Sequence, residues 1–186
     1  MSRVIAGVFG GRRLQTPPGQ GTRPTSDRVR EALFSTLDSL THLEDAWFAD
    51  LYAGSGAVGL EAASRGAARV TLVESAPAAG RAVRANIAAL GVGEACTLVT
   101  TRVEQAVAAP PPEPYDVIFA DPPYDLPDDA LASVLAAIGA NGWLATDGLL
   151  VVERSTRSPE PTWPDVVTPG RGRRYGETTL WYGRRS

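Results

Sequence analysis

Lysine is missing from this chain: all 18 basic residues among its 186 are arginine. A Walker A loop needs its lysine to reach the terminal phosphates, and a Schiff base needs a lysine amine, so P-loop kinase and pyridoxal chemistry are excluded. Cysteine and histidine occur once each, as Cys96 and His42. They cannot form an internal disulfide or fill a cysteine and histidine metal site, so no metal is expected. Cys96 reads as a strand-edge filler and His42 as a loop residue. No apolar run approaches the roughly 20 residues that span a bilayer. The start MSRVIAGVFGGRR, broken by Arg3 and Gly7, does not read as a signal peptide. The expectation is a cytoplasmic monomer away from membranes, with one core and a short appendage.

Charge of one sign is scarce at both ends, although the formal net charge is only −3. Residues 1–30 hold Arg3, Arg12, Arg13, Arg23, Arg28 and Arg30 against Asp27, a net of +5. Residues 171–186 hold Arg171, Arg173, Arg174, Arg184 and Arg185 against Glu177, a net of +4, which leaves −12 for the body between. Basic ends around an acidic body suggest a polyanion gripped by the ends, because releasing counterions from phosphates favours clustered arginine. Two solvated tails are the plain alternative.

Periodicity gives the architecture. Residues 1–24, with RVIAGVF and GRRLQTP, read as a basic arm or small hairpin preceding a domain over 25–186. Thr25 is expected to cap a helix carrying Val29, Leu33, Phe34, Leu37 and Leu40 at helical spacing, with Arg23, Arg28 and Arg30 facing outward. Strands and helices then alternate through AWFADLY, AVGLEAASRG, RVTLVES, AAGRAVRANIAALG, CTLVTT, VEQAVAA, YDVIFADPPY, DDALASVLAAIG and GLLVVERS. Two more strands, DVVTPG and ETTLWYG, close the chain. Helical crossovers between buried apolar strands imply an α/β fold: a seven-stranded, mainly parallel sheet covered on both faces, with an antiparallel edge hairpin.

Within FADLYAGSGAVGLEAASRG, Gly54, Gly56 and Gly59 have the spacing of a nucleotide-cofactor loop. A pyrophosphate at the following helix N-terminus would be repelled by an ionised carboxylate at the end of the first strand, where Asp50 stands. S-adenosylmethionine carries a sulfonium and an ammonium and no phosphate, so Asp50 favours that donor. Glu74, 20 residues after Gly54, ends the second strand, where a carboxylate can accept from both ribose hydroxyls.

Asp121, Pro122, Pro123 and Tyr124 follow the strand DVIFA at the sheet edge where open α/β folds bind ligands. An exocyclic amine on a base is a poor nucleophile. Asp121 and the Pro122 carbonyl can accept its two hydrogens and hold it in line with a methyl group, while Tyr124 stacks on the base. DPPY serves adenine-N6 and glutamine amines equally, and a noncatalytic RNA-binding assembly factor on the same fold is a further alternative.

The segments RVIAGVFGGRRLQTP, TRPTSDRVREALFSTL, DLYAGSGAVGLEAASRGA, VESAPAA and DPPY together resemble the RsmD family of 16S rRNA guanine-N2 methyltransferases. The resemblance spans nearly the whole chain, and its most specific parts are the arm and the RPT-x-DRVRE-x-LF helix. It implies a Rossmann-like class I methyltransferase fold, S-adenosylmethionine as cofactor, and 16S rRNA as partner, in a small subunit or an assembly intermediate. By motif, Asp50, Ala53, Gly54, Gly56, Glu74 and Ser75 would contact the donor, Arg102 and Val103 would border the adenine, and Asp121 to Tyr124 would hold the guanine. Two positions depart from the common pattern: a small polar residue is usual where Arg102-Val103 stands, and an acid where Ser75 stands.

Overall fold

The computed structural model describes residues 2–18 and 26–186. The expected cap Thr25 and the expected phosphate contact Arg23 lie outside the described residues. Strands β1 (Ser2–Arg3) and β2 (Arg13–Leu14) form a small antiparallel hairpin. Helix α1 spans Asp27–Leu40; its cap is Ser26, whose Oγ accepts from the Val29 amide at 3.2 Å and satisfies an otherwise unpaired donor.

There follow β3 (Trp47–Leu51), α2 (Ala57–Ser64), β4 (Arg69–Val73), α3 (Pro77–Leu90), β5 (Cys96–Val99), α4 (Val103–Ala106), β6 (Tyr115–Ala120) and α5 (Asp128–Ala140). The chain ends in β7 (Leu144–Ser155), β8 (Val167–Tyr175) and β9 (Thr178–Arg185). Helix α3 starts with Pro77 at its first position and stops at Gly91 in the left-handed conformation, the usual punctuation of a helix. The large sheet has the order β5-β4-β3-β6-β7-β9-β8. Strands β3 to β7 run parallel, and β9 and β8 add an antiparallel edge. This is the seven-stranded Rossmann-like arrangement expected from the sequence.

Alternation along the buried strands divides the core. Val117 and Phe119 of β6 join one apolar cluster with α1, α2, α3 and the arm, while Ile118 and Ala120 join the other with α4 and α5. Cys96 is 3% exposed at the start of edge strand β5, and burial pushes its thiol up to about 12. No helix among the described residues is long and apolar enough to cross a membrane.

The arm differs from the appendage that its composition suggests. Val4 and Leu14 are fully buried in the main core cluster. Gly7 has φ +82, and a side chain there would strike the Ser64 carbonyl, so the turn after β1 lies directly on the end of α2. Arg30, expected to face outward, is fully buried instead: its Nη2 donates to the Arg3 carbonyl at 2.5 Å and to Asp27 at 2.9 Å, and its Nε lies 4.0 Å from Glu61. A helical repeat does not say what covers each face, and here the arm covers the face that carries Arg30.

Candidate active site

Strand order reverses between β3 and β6, and the carboxyl ends of these strands form the crevice where open α/β sheets bind ligands. Backbone bonds hold the strand ends level. The Ala53 amide donates to the Val73 carbonyl at 3.0 Å, that of Glu74 to Val99 at 3.1 Å, and that of Asp121 to Leu51 at 3.3 Å. Asp50, Ala53, Gly54, Gly56, Glu74, Ser75, Arg102, Val103 and Asp121 to Tyr124 therefore all lie at one edge, at the ends of β3, β4, β5 and β6 and on the loops that follow them.

Asp50 is 2% exposed, and its Oδ2 accepts from the Gly59 amide at 2.8 Å, within the first turn of α2. The carboxyl group stands where a pyrophosphate would have to meet the helix amides. Burial raises its pKa to about 8 against the opposing bond from Gly59, with Glu74 and Glu153 adding to the rise. The sequence alone implies a standing carboxylate at Asp50; in the folded chain without a ligand it holds its proton up to about pH 8. Glu74 remains at the rim. Its Oε1 accepts from the Gly54 amide at 2.7 Å and its Oε2 from the Ala76 amide at 2.8 Å, so the side chain is already oriented by backbone.

Gly54 has φ +59, and the space where its side chain would stand is open. An open glycine, a buried acid on the helix amide and a fixed carboxylate suit a cationic sulfonium nucleoside better than a dinucleotide. Ser75 and Arg102 are exposed beside this cradle, Arg102 pairing with Glu104 at 3.5 Å, and Val103 is buried beneath. Tyr52, between Asp50 and Gly54, has φ +61, an uncommon conformation for an aromatic residue and a mark of a constrained loop.

In the DPPY segment, Tyr124 stands out from the surface with 82% exposure. The expected backbone acceptor is the Pro122 carbonyl, and Pro122 and Pro123 bring no amide donor of their own. The Pro123 carbonyl is already engaged, by the Leu126 amide at 2.9 Å and by Arg154 at 3.2 Å.

Sequence reasoning missed three residues. Glu61 is fully buried and accepts from the Ile5 and Ala6 amides at 2.7 and 3.0 Å and from Arg65 at 2.9 Å. Asn86 of α3 accepts from the Gln15 amide at 2.7 Å and donates to the Gln15 carbonyl at 2.9 Å and the Ser55 carbonyl at 3.0 Å, joining the arm to the glycine loop. The third is Arg154. A polar residue inside an otherwise apolar face or strand was the available signal for each.

A family model described as Conserved hypothetical protein 95 matches residues 2–184. The chain belongs to that family, the RsmD methyltransferases. Ribosomal RNA small subunit methyltransferase D of Escherichia coli strain K12 is 39% identical over 162 residues, covering 87% of this chain and 79% of that protein. The Haemophilus influenzae protein of the same name is 32% identical over 169 residues, covering 90% of this chain and 82% of its own. Among solved structures, yhhF of Escherichia coli superposes with a TM-score of 0.87 at 35% identity, covering 100% of this chain and 98% of that one. Magnesium protoporphyrin IX methyltransferase of Synechocystis PCC 6803, solved with bound SAM, shares the fold with a TM-score of 0.67 at 13% identity, covering 86% of this chain and 79% of that one. The RsmD assignment accords with the cradle: S-adenosylmethionine is cationic, and Asp50 near the end of β3 occupies an α2 amide that a phosphate binder leaves free.

The arginines expected to contact RNA fall into three groups. Arg3, Arg12 and Arg13 of the arm, Arg28 of α1, and Arg171, Arg173 and Arg174 of β8 are exposed. Arg30 is fully buried. Arg184 and Arg185 donate to backbone carbonyls, Arg184 to those of Asp147 and Leu40 at 2.8 Å and Arg185 to that of Leu144, so they tie the last strand down.

Proposed function

We propose that this RsmD-family protein transfers a methyl group from S-adenosylmethionine to the exocyclic N2 amine of a guanine in 16S rRNA, on a small subunit or an assembly intermediate. The observation that carries the reading is the juxtaposition of Asp121 with the acid-lined cradle across the β3–β6 pair, beside the exposed ring of Tyr124. The relatives named for small-subunit rRNA methylation support the substrate class.

S-adenosylmethionine, when bound, supplies an electrophilic methyl group. Glu74 would hold the ribose, exchanging part of its bonding to backbone amides for the hydroxyls, and Asp50 would face the positive end. Ser75, Arg102 and Val103 would border the adenine. Asp121 and the Pro122 carbonyl orient the acceptor amine, and Asp121 accepts from it as its proton leaves; Tyr124 covers the base by stacking. The exposed arginines of the arm and of β8 contact phosphates.

Asp121→Ala tests this. Single-turnover methylation of small-subunit rRNA should fall about a hundredfold or more, as when one positioned polar group is removed from a reacting centre, with donor affinity nearly unchanged. A near-normal rate would remove Asp121 from the chemistry. Label from the donor appearing at adenine-N6 or in protein instead of guanine-N2 would replace the acceptor.

A further inference from the structure

We propose that Arg154, at the end of β7, is a positioning residue for methyl transfer, its guanidinium fixing the loop from Pro123 to Asp128 and so aiming the DPPY segment at the donor cradle. The inference rests on the reading of that segment as the acceptor site.

Arg154 is 6% exposed, in a strand that is buried and apolar from Leu149 to Val152 and carries the buried acid Glu153 immediately before it. Its Nη1 donates to the Pro123 carbonyl at 3.2 Å, and its Nη2 donates to the Leu126 carbonyl at 2.9 Å and to Asp128 Oδ1 at 3.1 Å. Two of its three acceptors are backbone atoms of one loop. The third, Asp128, has a side chain 62% exposed. This cation spends most of its bonding on the loop.

The loop needs an external donor. Pro122, Pro123 and Pro127 have no amide hydrogen, so the segment has few bonds with which to hold its own shape. Its start is fixed to the donor side by the Asp121 amide on Leu51, and its far end enters α5 at Asp128. Between these points lies Tyr124. A planar guanidinium reaches three acceptors at fixed angles, which a lysine ammonium does not reproduce. A displacement of about 1 Å at a reacting centre costs on the order of a hundredfold in rate, so a loop bearing the acceptor contacts must be held this way.

The test uses the full chain with Arg154→Lys and, as a variant at the exposed end of the same contact, Asp128→Asn. Hydrogen exchange of the amides of Tyr124, Asp125 and Leu126, S-adenosylmethionine affinity by calorimetry, melting temperature, and single-turnover methylation at saturating donor and rRNA are measured together. Arg154→Lys should speed loop exchange and lower the rate by about tenfold to a hundredfold at saturation, with donor affinity within about twofold. Asp128→Asn should move both in the same direction by less, and it carries the test alone if Arg154→Lys does not fold. Unchanged loop exchange in the folded variants overturns the proposal, as does a rate loss that only follows the folded fraction. A loosened loop with full rate overturns it too. In that case Asp121→Ala separates the causes: if it abolishes transfer, the acceptor site stands and only the role of Arg154 fails; if it does not, the acceptor reading fails.

Discussion

The two basic ends of the chain look alike in sequence, yet Arg30 at one end and the β8 arginines at the other are used in opposite ways. At the N-terminus Arg30 is drawn fully inside, between Asp27 and Glu61, while the amides of Ile5 and Ala6 donate one to each oxygen of Glu61. At the C-terminus Arg171, Arg173 and Arg174 stay exposed on β8, the outermost strand of the sheet. The difference teaches that clustered charge locates a polyanion surface only where nothing else in the fold requires the charge. A buried acid such as Glu61 creates that requirement, because removing one partner strands the other in a medium that cannot solvate it.

The largest effect expected from breaking this contrast is at Glu61. Glu61→Ala leaves Arg30 buried with Asp27 as its remaining counter-charge and orphans two backbone amides of the arm, and should destabilise the protein by about 3 to 5 kcal/mol. Chemical denaturation would detect this; a loss below about 1 kcal/mol would mean that the arm is held by its apolar residues and its other hydrogen bonds without Glu61. Deleting residues 1–15 removes Val4 and Leu14 as well. The arm's arginines therefore cannot be tested by truncation without disturbing the fold, and donor binding is not expected to survive that deletion.

At the other end, changing Arg171, Arg173 and Arg174 together to Ala should leave the melting temperature nearly unchanged and weaken rRNA binding. The slope of log affinity against log salt should become shallower by up to about 2 to 3, near 0.7 to 0.9 for each phosphate that the variant no longer neutralises. Binding titrations at several salt concentrations with an unchanged slope would assign phosphate contact to the exposed arm arginines instead.

The smallest effect sharpens the same rule at Asp50, a buried acid that lacks the cation Glu61 has. Its pKa of about 8 means that below that value the folded chain holds a proton there. A cationic donor favours the ionised form, so binding releases the proton. Donor affinity should rise with pH by up to about tenfold per unit and level off above about pH 8. The stability of the protein without donor should move the other way. A raised folded pKa contributes stability that is present below about 4, where the unfolded carboxyl titrates, and is lost as pH rises through about 8. Calorimetry in two buffers of different ionisation enthalpy would report the released proton; none released at pH 7 would show that the donor leaves Asp50 protonated.

Much of this was legible beforehand because it is written in local pattern. The positions of β3 to β7 follow from apolar runs bounded by turns, and the cradle from Gly54 and Gly56 set between Asp50 and Glu74. The helix cap stands one residue later than expected, at Ser26, because Thr25 and Ser26 offer the same hydroxyl. Strands β7 and β8 each run longer than their apolar cores: β7 reaches back past an irregularity at Asp147, φ +63, to Leu144, and β8 continues through Arg173, Arg174 and Tyr175, whose pairing with β9 stabilises residues that give no strand signal of their own.

The sequence by itself determined the order of elements and the edge of the sheet on which the candidate residues gather, because helical and strand periodicities and glycine turns depend on neighbours in the chain. Only the tertiary structure decided which charges are spent inside and which remain for a ligand. Arg30 reads as a surface cation until Glu61, 31 residues away, is brought against it, and Arg154 gives no signal of its role until the Pro123 and Leu126 carbonyls, 31 and 28 residues away, meet it. Burial and partnership are properties of contacts distant in sequence, and the cost of an unsolvated charge depends on those contacts alone.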